Sequence, residues 1–444
     1  MTIFAVQDGA GGRGRGRIAW GAAAVIALVA GLAVTARNRY SELPCYELAA
    51  ARMLRGESIY RQDERAFTYP PLFAVPFVPL VMLPEAARPP IWSAVNWAVL
   101  VVIVWRLNRL LRPGMAAAGG TPPGGRAAPT WLFWLLAALL AGRHVSAPLE
   151  NQSHDLIVFL CAVLAIDASG APGRRAELLA GFWAGLGTAL KATPLLFAPV
   201  FLWQRRFVAA LTLGVALAGL TFLPDLLFPA QDHTSWTVSW YATFLKPIKP
   251  GETAVAIGAW YPWNQLNQSL AGTIYRLVTP FPDDNPDQSN VSVADLSPAA
   301  LKYLTVASQL AAGLWLLWVT RPGLTRGLPD GERTFRRLGE GAALVTAMTL
   351  LSPTSIKTHF CVLLLPITFC LADFLYRRRD WLVGAALVVV FVLGSLTVKG
   401  LLGRTAGNWV LASGSVTWCT LAVYAATGRV LLQRARTHPP TKAT

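Results

Sequence analysis

The sequence predicts an all-α integral membrane protein, a bundle of about twelve transmembrane helices, on three observations. Of its 444 residues, 54% are hydrophobic and only 14% charged, with mean hydropathy +0.45. Soluble domains carry about 25% charged residues, so a chain this apolar cannot cover its surface in water. Apolar stretches of helix length recur almost to the C-terminus. The 39 Lys and Arg, set against 23 Asp and Glu for a formal charge of +16, fall in clusters between those stretches. Such a composition excludes a disordered chain, a collagen-like rod and a coiled coil.

The elements follow in order. Residues 1–17, with Arg13, Arg15 and Arg17, form a basic tail ahead of the first span, Ile18–Ala36. The same run, ending in Val34-Thr35-Ala36, has the pattern of a signal peptide, but at ~19 residues it is long for one, and an uncleaved helix is expected. The GAGGRGRGR stretch would also suit an RNA-binding tail; the span behind it favours a short anchor. Further spans are Pro90–Trp105, Pro129–Gly142, Leu156–Ala168, Glu177–Leu190, Thr193–Trp203, Phe207–Phe228, Ala299–Val319, Leu338–Leu351, Phe360–Tyr376, Trp381–Leu402 and Trp409–Gly428. Several fall short of the ~20 residues that cross a hydrocarbon core, which packing inside a large bundle permits. Pro70–Pro84 is apolar but holds five prolines. That density breaks a helix, so a re-entrant or interfacial segment is expected there.

Arginines orient the bundle. Arg106/Arg109/Arg112, Arg174/Arg175, Arg205/Arg206, Arg321 to Arg337, Arg377 to Arg379 and Arg429 to Arg436 all fit one side. The positive-inside rule makes that side, and both termini, cytoplasmic. The layout is then a basic tail 1–17, one membrane unit 18–428 and a second basic tail 429–444. Substantial outer loops, about 37–68 and 229–298, carry short interfacial helices. Pro113–Ala128 is a Gly/Pro/Ala-rich cytoplasmic tether. The charge surplus is therefore topology; membrane lipids are the expected partner and nucleic acid is not. The five cysteines are scattered, without metal-ligand spacing, so neither a disulfide framework nor a zinc site is expected.

Chemistry belongs on the outer turns. Glu42 follows the first span, ahead of an amphipathic stretch Tyr46–Leu54; it reads as a general base or as an acid at a helix N-terminus. Lys191 breaks the apolar run LGTALKATPLL, as a functional ionisable group or as the outer end of the sixth span. Lys357 and His359, in SPTSIKTHF, suit a phosphate group or an interfacial anchor. The loop WYPWNQLNQSL sets Asn264, Gln265, Asn267 and Gln268 beside Trp260, Tyr261 and Trp263, a sugar-gripping set or an aromatic belt. Asn151-Gln152-Ser153-His154-Asp155 is a second amide-rich turn. Asp283-Asp284 reads as a solvated turn. No phosphate loop, HExxH or GxSxG is present.

In order, these motifs resemble glycosyltransferase family 87, polytopic enzymes of the GT-C superfamily that include polyprenol-phosphate-mannose-dependent α-mannosyltransferases. The resemblance runs from about Glu42 to Pro366. It is carried by Glu42, Tyr46, Ala49-Ala50 and Leu54 to Tyr60; by Phe67-Thr68-Tyr69-Pro70-Pro71-Leu72; and by Asn151-Gln152 and Lys191-Ala192-Thr193-Pro194. Asn267 to Gly272 with Arg276, and Ser352 to His359, complete the set. Glu42 stands where the family has Asp, and Ile356 and Thr358 replace its Trp and first His.

The resemblance implies a GT-C-like bundle and transfer of mannose or a similar sugar from a polyprenyl-phosphate donor to a glycolipid or glycan acceptor, with inversion. It assigns Glu42 as base and His359, Lys357, Lys191 and Arg276 to the donor phosphate. Tyr69, Asn151, Gln152, Asn267 and Gln268 are assigned to sugar or acceptor. No metal and no cofactor beyond the lipid-linked donor is expected. The competing reading is a transporter or flippase of lipid-linked sugars, which would bury charges at mid-membrane; here the spans are nearly charge-free.

Overall fold

The computed structural model describes residue 31 and residues 41–61, 66–116, 128–249, 261–281, 289–324 and 328–437. The N-terminal tail, the first span apart from Gly31, Trp260, Asp283-Asp284 and most of the Gly/Pro/Ala-rich tether at 113–128 lie outside the described residues.

Every regular element among the described residues is helical. The first, α1 (Leu43–Leu54), buries Leu43, Tyr46, Ala49, Ala50 and Met53, the one-faced stripe expected of the amphipathic stretch. It packs on Pro71–Val81, a 3₁₀ turn running into a short helix. Eleven residues there span roughly 20 Å, short of a ~30 Å hydrocarbon core. The proline-rich segment is therefore a broken platform.

The bundle follows as α2 (Arg88–Ala116), α3 (Thr130–Glu150), α4 (Asp155–Gly170), α5 (Arg174–Leu190), α6 (Phe197–Trp203) and α7 (Phe207–Leu227). Then come α8 (Leu270–Val278), α9 (Pro298–Val319), α10 (Asp330–Leu351) and α11 (Leu364–Tyr376). The chain closes with α12 (Trp381–Val389), α13 (Lys399–Ala412) and α14 (Ser415–Thr437). Among the described residues six helices are long and apolar enough to cross a membrane, or seven counting a bent pair as one. This is a multi-pass membrane protein. Leu211 and Val215 on α7 and Leu314 on α9 stay about two-thirds exposed, which only a lipid surround makes favourable. By contrast α10 is buried at nearly every position from Phe335 to Leu350. As the central helix it meets protein rather than lipid, so it tolerates Arg336, Arg337 and Glu340.

Two expectations change. The run Trp381–Leu402 is not straight: after a π-helical stretch to Leu396 it turns by 97° into α13. Arg143 supplies a reason, donating to the Gly394 carbonyl at 2.9 Å and to Thr397 Oγ1 at 3.2 Å, so side-chain bonds serve backbone that the ladder no longer does. At the C-terminus, α14 continues as far as Thr437, into the first residues of the tail expected at 429–444, held by Arg429 on Asp380 at 2.7 Å.

The two ends of the bundle differ in charge. At one end arginines meet carboxylates: Arg106–Asp167 at 2.7 Å, Arg337–Glu340 at 2.8 Å, Arg377–Glu332 and Arg429–Asp380. The opposite end holds the α3–α4 turn, the end of α5, α1 and the turn before α11.

Within the bundle α5 and α7 touch closely. A Cβ on Gly181 would lie 2.3 Å from the Ala209 carbonyl oxygen, and one on Gly185 would lie 2.7 Å from the Ala216 Cβ. Small residues four apart let membrane helices approach. Gly181→Leu should lower stability by about 1–3 kcal/mol, read as a reduced thermal midpoint in detergent; an unchanged midpoint would contradict so close a crossing.

Candidate active site

Glu42 stands at the N-terminus of α1 and donates its backbone N–H to the Asn151 carbonyl at 2.8 Å. This bond ties α1 to the turn between α3 and α4. The Glu42 carboxylate caps nothing. It accepts the hydroxyl of Tyr46, one turn along α1, and the hydroxyl of Tyr69 at 3.1 Å. Tyr69 precedes Pro70-Pro71, and its carbonyl accepts Tyr60 Oη at 3.1 Å.

The α3–α4 turn is clamped from α2. Gln152 adopts φ +51°, a left-handed conformation uncommon for a side-chain-bearing residue. Its carbonyl accepts Trp92 Nε1 at 2.7 Å and its Nε2 donates to Ser93 Oγ at 2.9 Å. Asn151 Nδ2 donates to Ala147 O at 3.0 Å. Both amides therefore brace the turn that presents His154 and Asp155.

His154 lies between aromatic rings, 4.3 Å from Tyr69 and 4.1 Å from Phe73 by centroid. Burial pushes it down to about 3, so it is neutral. With the Tyr46 proton committed to an ionised Glu42, the 3.2 Å contact between Tyr46 Oη and His154 Nδ1 assigns the proton to Nδ1. His154 Nε2 is then a buried acceptor, without a partner among the described residues.

Asp155 begins α4 and accepts Ser153 Oγ and Lys191 Nζ, each at 2.5 Å. Lys191 follows the last residue of α5 in extended conformation, and its Nζ sits 6.0 Å from the Tyr69 ring centroid. Pro194, three residues on, stops α5 from continuing. A cavity of about 20 Å³, room for about one water, is lined by Asp155, Lys191, Thr193, Thr349, Ser355 and His359.

Glu42, Tyr69, Lys191 and His359 thus come together, and Tyr46, His154 and Asp155, which sequence reasoning did not choose, join them. Lys191 was itself the signal for Asp155, because a lysine ending an apolar helix requires a counter-ion.

Other candidates serve differently. Arg276 is buried, and its guanidinium donates to the carbonyls of Ala412, Pro262, Asn264 and Asn267 at 2.7–3.0 Å. Desolvation pushes it down to about 9. Gln268 takes the Ser355 carbonyl on its N–H at 2.6 Å, and its Nε2 donates to Leu411 O at 2.7 Å. Asn267 Oδ1 accepts Ser355 N at 3.3 Å. These three residues fasten the loop before α8 to the His359 turn and to the junction of α13 and α14. Lys357 is exposed and does not line the cavity.

Burial holds the Glu42 carboxyl above its ordinary 4.5; Asp155 adds to the rise, and Tyr46, Lys191 and Tyr69 oppose it. A carboxylate raised in this way is a better proton acceptor near neutral pH. Beside it the Lys191–Asp155 ion pair lines a small cavity together with His359, which burial pushes down to about 3 and so holds neutral.

The molecule is thus a multi-pass helical membrane protein that holds, at one end of its bundle, a part-buried carboxylate beside a small cavity lined by an ion pair and a neutral histidine. The profile of Glycosyltransferase family 87 matches residues 67–353, well over half of the chain, and the chain belongs to that family. Tyr69, Lys191, Asn267 and Arg276 fall inside the match, whereas Glu42 and His359 fall outside and join the site by geometry.

A polyprenol-phosphate-mannose-dependent alpha-(1-2)-phosphatidylinositol mannoside mannosyltransferase of Mycolicibacterium smegmatis is 24% identical over 413 residues, covering 89% of this chain and 85% of its own. Its namesake in Mycobacterium tuberculosis is 26% identical over 412 residues, covering 88% and 85%. Among solved structures, apo ArnT from Cupriavidus metallidurans is similar with TM-score 0.45 and 14% identity, over 95% of this chain and 78% of that one. The form bound to undecaprenyl phosphate gives 0.41 and 14%, over 94% and 77%.

A protonated base is inactive, so kcat/KM should fall as pH drops, along an acid limb above 4.5. Tyr69→Phe removes a hydrogen bond that favours the carboxylate, and should move that limb upward by about one pH unit. A pH–rate profile with its limb at or below 4.5 would contradict the assignment.

Proposed function

We propose that this glycosyltransferase moves mannose or a similar hexose from a polyprenyl-phosphate donor to a hydroxyl of a glycolipid or glycan acceptor, at the extracytoplasmic face of the cell membrane. The observation that carries this reading is the path from Glu42 through Tyr69 to Lys191 and Asp155. It sets one carboxylate beside a lysine whose charge Asp155 balances until an anionic donor arrives. The names of the two mycobacterial relatives support the donor class and the sugar.

In the proposed mechanism the donor phosphate enters against Lys191 and His359. Lys191 keeps Asp155 as counter-ion until the phosphate arrives, and then shares its charge with the leaving group. The acceptor hydroxyl sits against Glu42 Oε2, replacing one tyrosine hydroxyl. As the C–O bond to polyprenyl phosphate breaks, the acceptor oxygen forms the new bond from the opposite face, and its proton passes to Glu42. One carboxylate suffices, because a phosphate leaving group needs little acid assistance. Asn151, Gln152, Asn267, Gln268 and Arg276 act by bracing the turns that carry His154, Asp155 and Ser355. Lys357, at the surface of the same turn as His359, meets the phosphate on its way in.

The side is inferred from charge. Arginines gather at the end of the bundle opposite Glu42, and the positive-inside rule places that end, with both termini, in the cytoplasm. The transporter reading is less well supported, since the ion pair sits at helix termini rather than at mid-helix.

Glu42→Gln should cut sugar transfer from polyprenyl-phosphate mannose by about 10²–10⁴-fold with expression unchanged; full activity would remove Glu42 as base, and movement of the intact lipid-linked sugar without a new glycosidic bond would favour the transporter. In a Cys45→Ser background, Val293→Cys should react with an impermeant maleimide on intact cells and Arg379→Cys only after lysis. The reverse pattern would overturn the orientation.

A further inference from the structure

At the arginine-rich end, away from Glu42, lies a second and larger cavity of about 360 Å³, within the ~300–1,000 Å³ of small-molecule sites. It is lined by Gln204, Arg205, Arg321, Gly323, Arg337 and Glu340, brought together from the α6–α7 turn, the end of α9 and the first half of α10.

The lining is built around positive charge. Arg337 donates to Gln204 Oε1 and Glu340 Oε2, each at 2.8 Å, which fixes its guanidinium at the wall. Glu340 is shared, because Arg336 also holds it at 3.2 Å. Among the described residues neither Arg205 nor Arg321 has a carboxylate within ion-pair distance. Arg321 lies 5.9 Å over the Trp318 ring and donates to the Trp318 carbonyl at 2.9 Å. Arg205 is exposed at the mouth with φ +58°, a conformation usually taken by glycine or asparagine at a helix end.

The carbonyls at the end of α9 would repel an anion, but they are already bonded. Trp203 Nε1 reaches Leu317 O at 2.8 Å, and Gln204 Nε2 reaches Thr320 O at 3.1 Å. Arg205, Arg321 and Arg337 face the one glutamate, Glu340, which Arg336 also holds, so the lining keeps an excess of positive charge that suits a phosphate monoester near neutral pH. Planar guanidinium forks suit phosphate oxygens. Exposed Leu202, Trp203 and Phe207 adjoin Gln204 and Arg205 in the chain, apolar surface that suits an acyl chain.

We propose that this cavity binds a dianionic phosphate group, carried either by free phosphate or by the phosphomonoester headgroup of a lipid. The site is separate from the active site, although α10 contributes to both cavities, Glu340 to one and Thr349 to the other.

The test uses full-length protein in phosphatidylcholine nanodiscs, with the thermal midpoint followed in two arms. One arm adds inorganic phosphate against chloride at matched ionic strength; the other replaces part of the lipid with phosphatidic acid. Binding raises the midpoint by mass action, so one arm at least should show a saturable rise. A rise with inorganic phosphate identifies a free-phosphate site, and a rise with phosphatidic acid alone identifies a headgroup site. Arg205→Gly with Arg321→Gln should weaken the response by at least about tenfold while sugar transfer persists, because glycine keeps the φ +58° turn. Arg321→Gln alone should weaken it several-fold, should the double variant fail to fold. No rise in either arm, a rise equalled by chloride, or a response unchanged in Arg321→Gln would overturn the proposal.

Discussion

The buried ion pair between Lys191 and Asp155 is the constraint on which the site depends. An ammonium at the end of an apolar helix is costly without a partner, and removing one partner of such a pair typically costs about 3–5 kcal/mol. The pair brings the end of α5 to the start of α4 at 2.5 Å. The start of α4 in turn carries His154, which touches Tyr46, and the same turn receives the backbone of Glu42 through Asn151. One ionic contact thus sets where Glu42, its two tyrosines and the small cavity stand relative to each other.

At the other end the same physics gives a different result. There arginines outnumber acids, and the carboxylates that are present are each held by one or two guanidiniums. Those bonds close helix ends against one another. At the site end the acids among the described residues of the cluster are Glu42 and Asp155, each committed to specific hydroxyls or to an amine.

Much of this was legible in the sequence. Composition and arginine placement predict a polytopic bundle, and Glu42, Lys191 and His359 stand out because a charged or titratable residue next to an apolar run needs a reason. His154 and Asp155 were not chosen, since their approach depends on the left-handed Gln152 and on Trp92 and Ser93, about 60 residues earlier. Asn267, Gln268 and Arg276 look like binding groups in one dimension. Their partners, Leu411, Ala412 and Ser355, lie roughly 80–140 residues away, and those contacts make them braces. The 97° turn after Leu396 was hidden for the same reason: Trp381–Leu402 is continuously apolar, and the residue that breaks it, Arg143, comes from α3.

The central claim is that Glu42 and the Lys191–Asp155 pair form one site, with the donor phosphate bound between Glu42 and Lys191. The most direct measurement is an experimental structure with polyprenyl phosphate bound. The account predicts phosphate oxygens within hydrogen-bond distance of Lys191 Nζ and His359, with the Glu42 carboxylate facing the position of the anomeric carbon. A phosphate bound away from Lys191, or a Glu42 carboxylate turned out of reach of that position, would contradict it.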